Sequence, residues 1–135
     1  MKNNNLSFLR VLSGGQTTSL QDFGRTGFQD NGVPPSGVIS KKNMKLANKL
    51  VGNNECEAVL ESFISGPTFE MKGLKALVSI IGGKSTSLEI INRNIKVRPG
   101  RSIEIVQNDL VKINNGNDNL ISTFSISGGF KAPKI

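Results

Sequence analysis

The sequence predicts a mainly β domain carrying one α-helix, and three observations predict it. From Glu57 onward the chain is a succession of short runs rich in β-branched and aromatic residues, each closed by Gly, Pro, Asn or Asp. Polar and apolar residues alternate in Ser102-Ile103-Glu104-Ile105 and again in Leu110-Val111-Lys112-Ile113, the period of a half-buried strand. One stretch, Lys41 to Val51, shows the 3.6-residue period of an amphipathic helix. The 135 residues suit one domain, residues 1–135, long enough to bury a real core. With no Trp or Tyr, that core must be built from Ile, Leu, Val and the seven Phe.

Met1 to Asn5 read as a polar end that frays, and Phe8, Leu9, Val11 and Leu12 as a first short strand closed by Gly14-Gly15. Ser19 to Val38 follows, SLQDFGRTGFQDNGVPPSGV. Four glycines and Pro34-Pro35 rule out a regular helix or central strand there, because glycine costs backbone entropy and proline lacks the N–H. Leu20, Phe23, Phe28 and Val33 anchor it, so an ordered loop is expected, either a chain of packed turns or a binding loop. In the predicted helix Met44, Ala47 and Val51 stand at i, i+3 and i+7, and Leu46 and Leu50 widen the stripe. Ser40 stands where an N-cap belongs and Gly52 where the residue after the C-cap belongs. This helix should cover one side of a sheet. AVLESFI, TFEM, LKALVSII, SLEII, RSIEIV, LVKI and LISTFSI then read as strands, with Asn114 to Asp118 as a hairpin loop. Six or more strands so spaced imply a β-barrel or sandwich.

Seventeen basic against ten acidic residues give +7, which favours acidic partners or substrates. Lys41, Lys45 and Lys49 recur at helical spacing, and Arg93, Lys96, Arg98 and Arg101 cluster. Without interleaved aromatics both groups read as solvated faces, so nucleic acid is not the expected partner. With no histidine, a His-based triad is excluded, and Cys56, the single cysteine, has no partner for a disulfide or metal site; no metal is expected. No apolar run approaches membrane-spanning length and no secretory h-region opens the chain, so a cytoplasmic protein without a membrane partner is expected.

Within the glycine-rich loop, Arg25 can present a planar fork to a carboxylate or phosphate, or pair structurally with Asp22 or Asp30. Gln21 and Asp22 can contact a ligand or staple backbone N–H groups, and Ser36 can do either in its turn. Glu61 lies in a strand-like run. Facing inward, it needs a partner and can carry a proton; facing outward, it is a solvated carboxylate. Gly82-Gly83-Lys84-Ser85 lacks the full phosphate-loop pattern and reads as a turn.

VLSGGQTTSLQDFGRTGFQDNGVPPSG resembles the N-terminal signature of the biotin-dependent carboxyltransferase-like family, which includes the C component of 5-oxoprolinase, allophanate hydrolase subunit 2-like proteins and part of urea carboxylase. LANKLVGN, LESFISGPTFEM and ISGGF follow in the family's order. The resemblance implies a cyclophilin-like β-barrel, incomplete here because it covers the family's N-terminal half. It also implies a subunit or fragment of an ATP-dependent 5-oxoprolinase or urea amidolyase-like amide hydrolase or carboxyltransferase, acting on a small amide or lactam. Such a chain would be inactive alone. Its partners would be companion subunits, including the C-terminal half, and ATP or biotin would come with them, since the chain itself shows no cofactor site. Glu61 would be the catalytic group, and Arg25, Gln21, Asp22 and Ser36 the substrate contacts. Where relatives read S-G-A-M-D and T-G-A-D, this chain has Ser36-Gly37-Val38-Ile39-Ser40 and Ile81-Gly82-Gly83-Lys84. These exchanges leave open an alternative, a non-catalytic binding or regulatory module on the family scaffold.

Overall fold

A computed structural model describes residues 8–14, 17–21, 40–116 and 121–130. Its elements run β1 (Phe8–Ser13), β2 (Thr17–Gln21), α1 (Lys41–Leu50), β3 (Val59–Phe63), β4 (Thr68–Lys72), β5 (Ala76–Ile81) and β6 (Ser87–Ile90). A 3-10 turn at Ile91–Arg93 leads to β7 (Ile95–Val97), β8 (Arg101–Ile105), β9 (Leu110–Asn114) and β10 (Ile121–Ile126). The strands form two antiparallel five-stranded sheets, sheet A in the order β1-β4-β9-β6-β7 and sheet B in the order β2-β3-β10-β5-β8. The mainly β class is as the sequence predicts, with one helix among the described residues, whose sheets do not close into a barrel. They touch at β7 and β8. On the opposite side a groove of about 740 Å³ runs between the edge strands β1 and β2, with Phe8 and Val11 more than half exposed on its rim.

Strand alternation decides what each face does. Phe69 and Met71 of β4, Val111 and Ile113 of β9, and Leu88 and Ile90 of β6 point from sheet A into the core. They meet Val78, Ile80, Ile105 and Phe124 of sheet B, and the Phe69 and Phe124 rings stack with centroids 5.6 Å apart. Each such fully buried side chain contributes about 1.5–3 kcal/mol. The outer face of sheet A is charged: Glu70 pairs with Arg10 at 3.8 Å and with Lys72 at 3.3 Å. Gly66 is required by close approach, because a Cβ there would overlap the Ile113 carbonyl.

The outer face of sheet B is polar yet buried, because α1 lies across it. Ser79 Oγ donates to the Ala47 carbonyl at 2.8 Å, and Ser125 Oγ donates to Asn48 Oδ1 at 2.8 Å. Here the predicted apolar stripe needs correcting. Met44, Ala47 and Val51 are buried as expected, but Leu46 is 43% exposed and Asn48 takes an inward position. A sheet face carrying Ser79, Thr123 and Ser125 calls for a polar helix residue opposite it. Among the basic residues, Lys41, Lys45 and Lys49 are exposed, but Arg93 is held against the buried Asp109 and is no freely solvated charge. Asn115, in the expected hairpin loop, is buried in a cluster with Ser62 and Ser122, whose hydroxyl oxygens lie 2.6 Å apart.

Both predicted helix ends are present. Ser40 Oγ accepts the Asn43 N–H at 3.2 Å. At the other end Gly52, at φ +78°, donates to the Lys49 carbonyl while Asn53 donates to Asn48, a Schellman closure. Ser40→Ala is expected to lower stability by about 0.5–2 kcal/mol and Ser40→Asp to leave it nearly unchanged, as read from urea midpoints.

Candidate functional site

The site grows from the alternation of β3. Val59-Leu60-Glu61-Ser62-Phe63 sends Leu60 toward the core and Glu61 to the helix-covered face of sheet B. Register places Ser19 of β2 on one side of Glu61 and Thr123 of β10 on the other, so the three form one row across the sheet. Glu61 is 1% exposed, which excludes the solvated reading open to it in the sequence. A buried carboxylate needs compensation, and part of it comes from the start of α1. The Ser40 N–H points at Glu61 Oε2 at 3.4 Å, and the positive end of the helix dipole lies on that side. Ser40 thus has two local duties, its hydroxyl capping α1 and its backbone N–H facing Glu61.

Thr123 is the unexpected member. It is fully buried, and its Oγ1 has no hydrogen-bond partner among the described residues. An unsatisfied buried hydroxyl costs about 1–3 kcal/mol, so this position is held at the expense of stability. Gln21, at the end of β2, lies opposite Val59 on the same face as Glu61 and is half-buried; its Nε2 donates to Ser19 Oγ at 2.8 Å. Of the five site residues read from the sequence, the structure therefore brings Gln21 and Glu61 to one face. Asp22, Arg25 and Ser36 lie outside the described residues, as does Asp30, so the choice between ligand contact and ion pair for Arg25 falls there too. Ser19 and Thr123 escape a sequence reading because β2-β3-β10 pairing is long-range. The one local signal was the polar alternation in ISTFSI.

Chemically, the row combines a water-excluded carboxylate, an open hydroxyl and a neighbouring amide. Such a set can orient a small polar molecule against the buried carboxylate. Thr123→Val is expected to leave stability unchanged or raise it by about 1 kcal/mol, read from the urea midpoint, because it removes the unsatisfied group at similar shape.

Two of the motif blocks meet beside this face. Asn53, from LANKLVGN, donates from Nδ2 to the Ile126 carbonyl at 2.8 Å and accepts the Gly128 N–H at 2.9 Å, both in ISGGF. These blocks fasten the C-terminal end of α1 to the end of β10, which is a scaffold role.

Comparison with known proteins agrees with this fold. Urea amidolyase of Saccharomyces cerevisiae is 29% identical over 127 residues, 93% of this chain but 7% of that protein. The C component of Escherichia coli 5-oxoprolinase is 33% identical over 64 residues, 47% of this chain and 21% of that protein. The crystal structure of Kluyveromyces lactis urea carboxylase superposes with a TM-score of 0.84 at 30% identity, covering 93% of this chain and 11% of that one. The chain thus spans a small part of the relatives it matches. The family described as carboxyltransferase domain, subdomain A and B, matches residues 31–135, from within the glycine-rich loop through α1 and β3 to β10, and the chain belongs to that family.

Proposed function

We propose that this chain is one part of an ATP-dependent amide hydrolase or carboxyltransferase assembly of the 5-oxoprolinase or urea amidolyase kind, acting on a small amide or lactam. The observation that carries the reading is Glu61, a carboxylate buried beside the start of α1 with an unsatisfied threonine hydroxyl next to it in the row. Glu61 handles the proton in this reading. Gln21 holds the polar end of the substrate, and Asp22, Arg25 and Ser36, on the sequence that precedes Ser40, supply further contacts. ATP and biotin belong to companion subunits.

The test is reconstitution. The chain alone is expected to turn over no 5-oxoproline or urea. Supplied with the remaining subunits it should support turnover, and Glu61→Gln should lower the assembly's rate by about 10²-fold or more while the variant still melts cooperatively. Turnover by the isolated chain, or an unchanged rate in Glu61→Gln, overturns the reading. One observation favours the alternative of a non-catalytic binding module: Ser40, which stands at the aspartate of the family pattern this sequence resembles, spends its hydroxyl on capping α1. Recovery of unrelated proteins in place of companion subunits in a pull-down supports that second reading.

A further inference from the structure

The outer face of sheet A carries a second concavity, whose lining includes none of Ser19, Glu61 and Thr123. It encloses about 670 Å³ at the β6–β7 edge and is lined by Lys84, Ser85, Thr86, Ser87, Lys96 and Arg98. Lys84 sits on the 82–86 connection, which is tightly held. Thr86 N–H donates to the Gly83 carbonyl at 3.1 Å, and Gly83 N–H donates to Thr86 Oγ1 at 3.0 Å. The same hydroxyl donates to the Asn115 carbonyl at 2.8 Å, pinning the turn to the loop after β9. A Cβ on Gly82 would overlap Thr86, so glycine lets the turn fold back this closely. Lys84 is therefore presented by a fixed turn, and Lys96 and Arg98, two residues apart, come from the edge strand and its end.

Among the described residues the charges are unbalanced, and no carboxylate forms an ion pair with Lys84, Lys96 or Arg98. Glu89 stands opposite Lys96, and its Oε1 accepts Asn114 Nδ2 at 2.6 Å. Three cations around one concavity repel each other and focus positive potential into it. A single carboxylate offsets one of them, whereas a phosphate ester or diphosphate brings two or three negative charges in one compact group with many acceptor oxygens. Arg98 offers a fork for two of those oxygens, and Lys84 and Lys96 offer point charges. The volume lies within the range of small-molecule sites, about 300–1,000 Å³.

We propose that this cleft is a binding site for a small phosphate-bearing ligand. Calorimetric titration of the full chain with inorganic pyrophosphate is expected to give saturable one-to-one binding that weakens as salt rises from about 50 to about 300 mM. Lys84→Asp and Arg98→Gln should each weaken it about tenfold or more, with melting temperatures close to the parent because both side chains are exposed. Lys42→Glu, exposed on α1 and changing net charge as much as Lys84→Asp, should leave it intact. Equal weakening by Lys42→Glu would show diffuse attraction to a basic protein and overturn the proposal. So would the lack of saturable pyrophosphate binding, or tighter binding of citrate, which carries its charge on carboxylates.

Discussion

Replacing Arg93 with methionine is expected to lower stability at pH 7 by about 3–5 kcal/mol, because it leaves a buried carboxylate uncompensated. Asp109, 1% exposed, sits in the turn between β8 and β9. Arg93 holds it in two bonds, Nη2 to Oδ2 at 2.6 Å and Nε to Oδ1 at 3.0 Å. The Val106 N–H at 2.8 Å and Asn92 Nδ2 at 3.1 Å complete its shell. Burial on its own would push this carboxyl up, but the bonds from Arg93, Val106 and Asn92 outweigh it and hold the pKa below the ordinary aspartate value. A depressed carboxylate contributes stability that is full above its unfolded pKa, about 4, and is lost as pH falls through the lower folded value. Without Arg93 burial dominates and the folded pKa rises. The gap between variant and parent should therefore be widest at neutral pH and narrow in acid. Urea midpoints at pH 7 and pH 3 measure both, and a gap that stays constant with pH would show that Arg93 acts through packing of its stem alone. Arg93→Met with Asp109→Asn should recover part of the loss.

That pair also shows where a sequence reading stops. Arg93 and Asp109 are sixteen positions apart, and only the path of the chain through β7 and β8 brings the 3-10 turn onto the β8–β9 corner. Features governed by neighbours in sequence are legible. Ser40 and Gly52 mark the ends of α1 because capping depends on a few adjacent residues; alternation marks β8 and β9, and β-branched and aromatic runs closed by turn residues mark β3 to β6 and β10. β2 and β7 are missed: Thr17–Gln21 runs into the stretch read as a loop from Ser19, and Ile95–Val97 is too short to show a period and begins after Asn94, whose φ of +54° serves a left-handed turn. Glu61 falls between these cases. Alternation in VLESF separates Glu61 from Leu60, but whether its face meets water or α1 depends on a helix docked from elsewhere in the chain. For the same reason Thr123 and Ser19 become site residues only once register is known.

The second large effect is expected at Asn48, a position the helical stripe does not flag. Its side chain is fully buried, and its amide is fully used. Nδ2 donates to the carbonyls of Glu57 at 2.9 Å and Glu55 at 3.3 Å, and Oδ1 accepts Ser125 Oγ at 2.8 Å and Asn53 Nδ2 at 3.2 Å. One residue thus ties α1 to the segment leading into β3 and to β10. Asn48→Leu keeps the number and branching of the side-chain heavy atoms while removing every one of these bonds. With each buried group left unpaired costing about 1–3 kcal/mol, the net loss should reach about 3–5 kcal/mol after partial relaxation. In a domain whose whole stability is about 5–15 kcal/mol, the variant would be partly unfolded at 37 °C. Asn48→Asp should not rescue it at neutral pH. A carboxylate still accepts from Ser125 and Asn53 but turns an acceptor toward the two backbone carbonyls. Lowering the pH should help it selectively, because protonation restores one donor. Leucine is the better helix former, so local propensity works in favour of Asn48→Leu. A urea midpoint that falls despite that advantage locates the loss in the tertiary bonds, and a midpoint that holds or rises would show that α1 docks through Met44 and Ala47 alone.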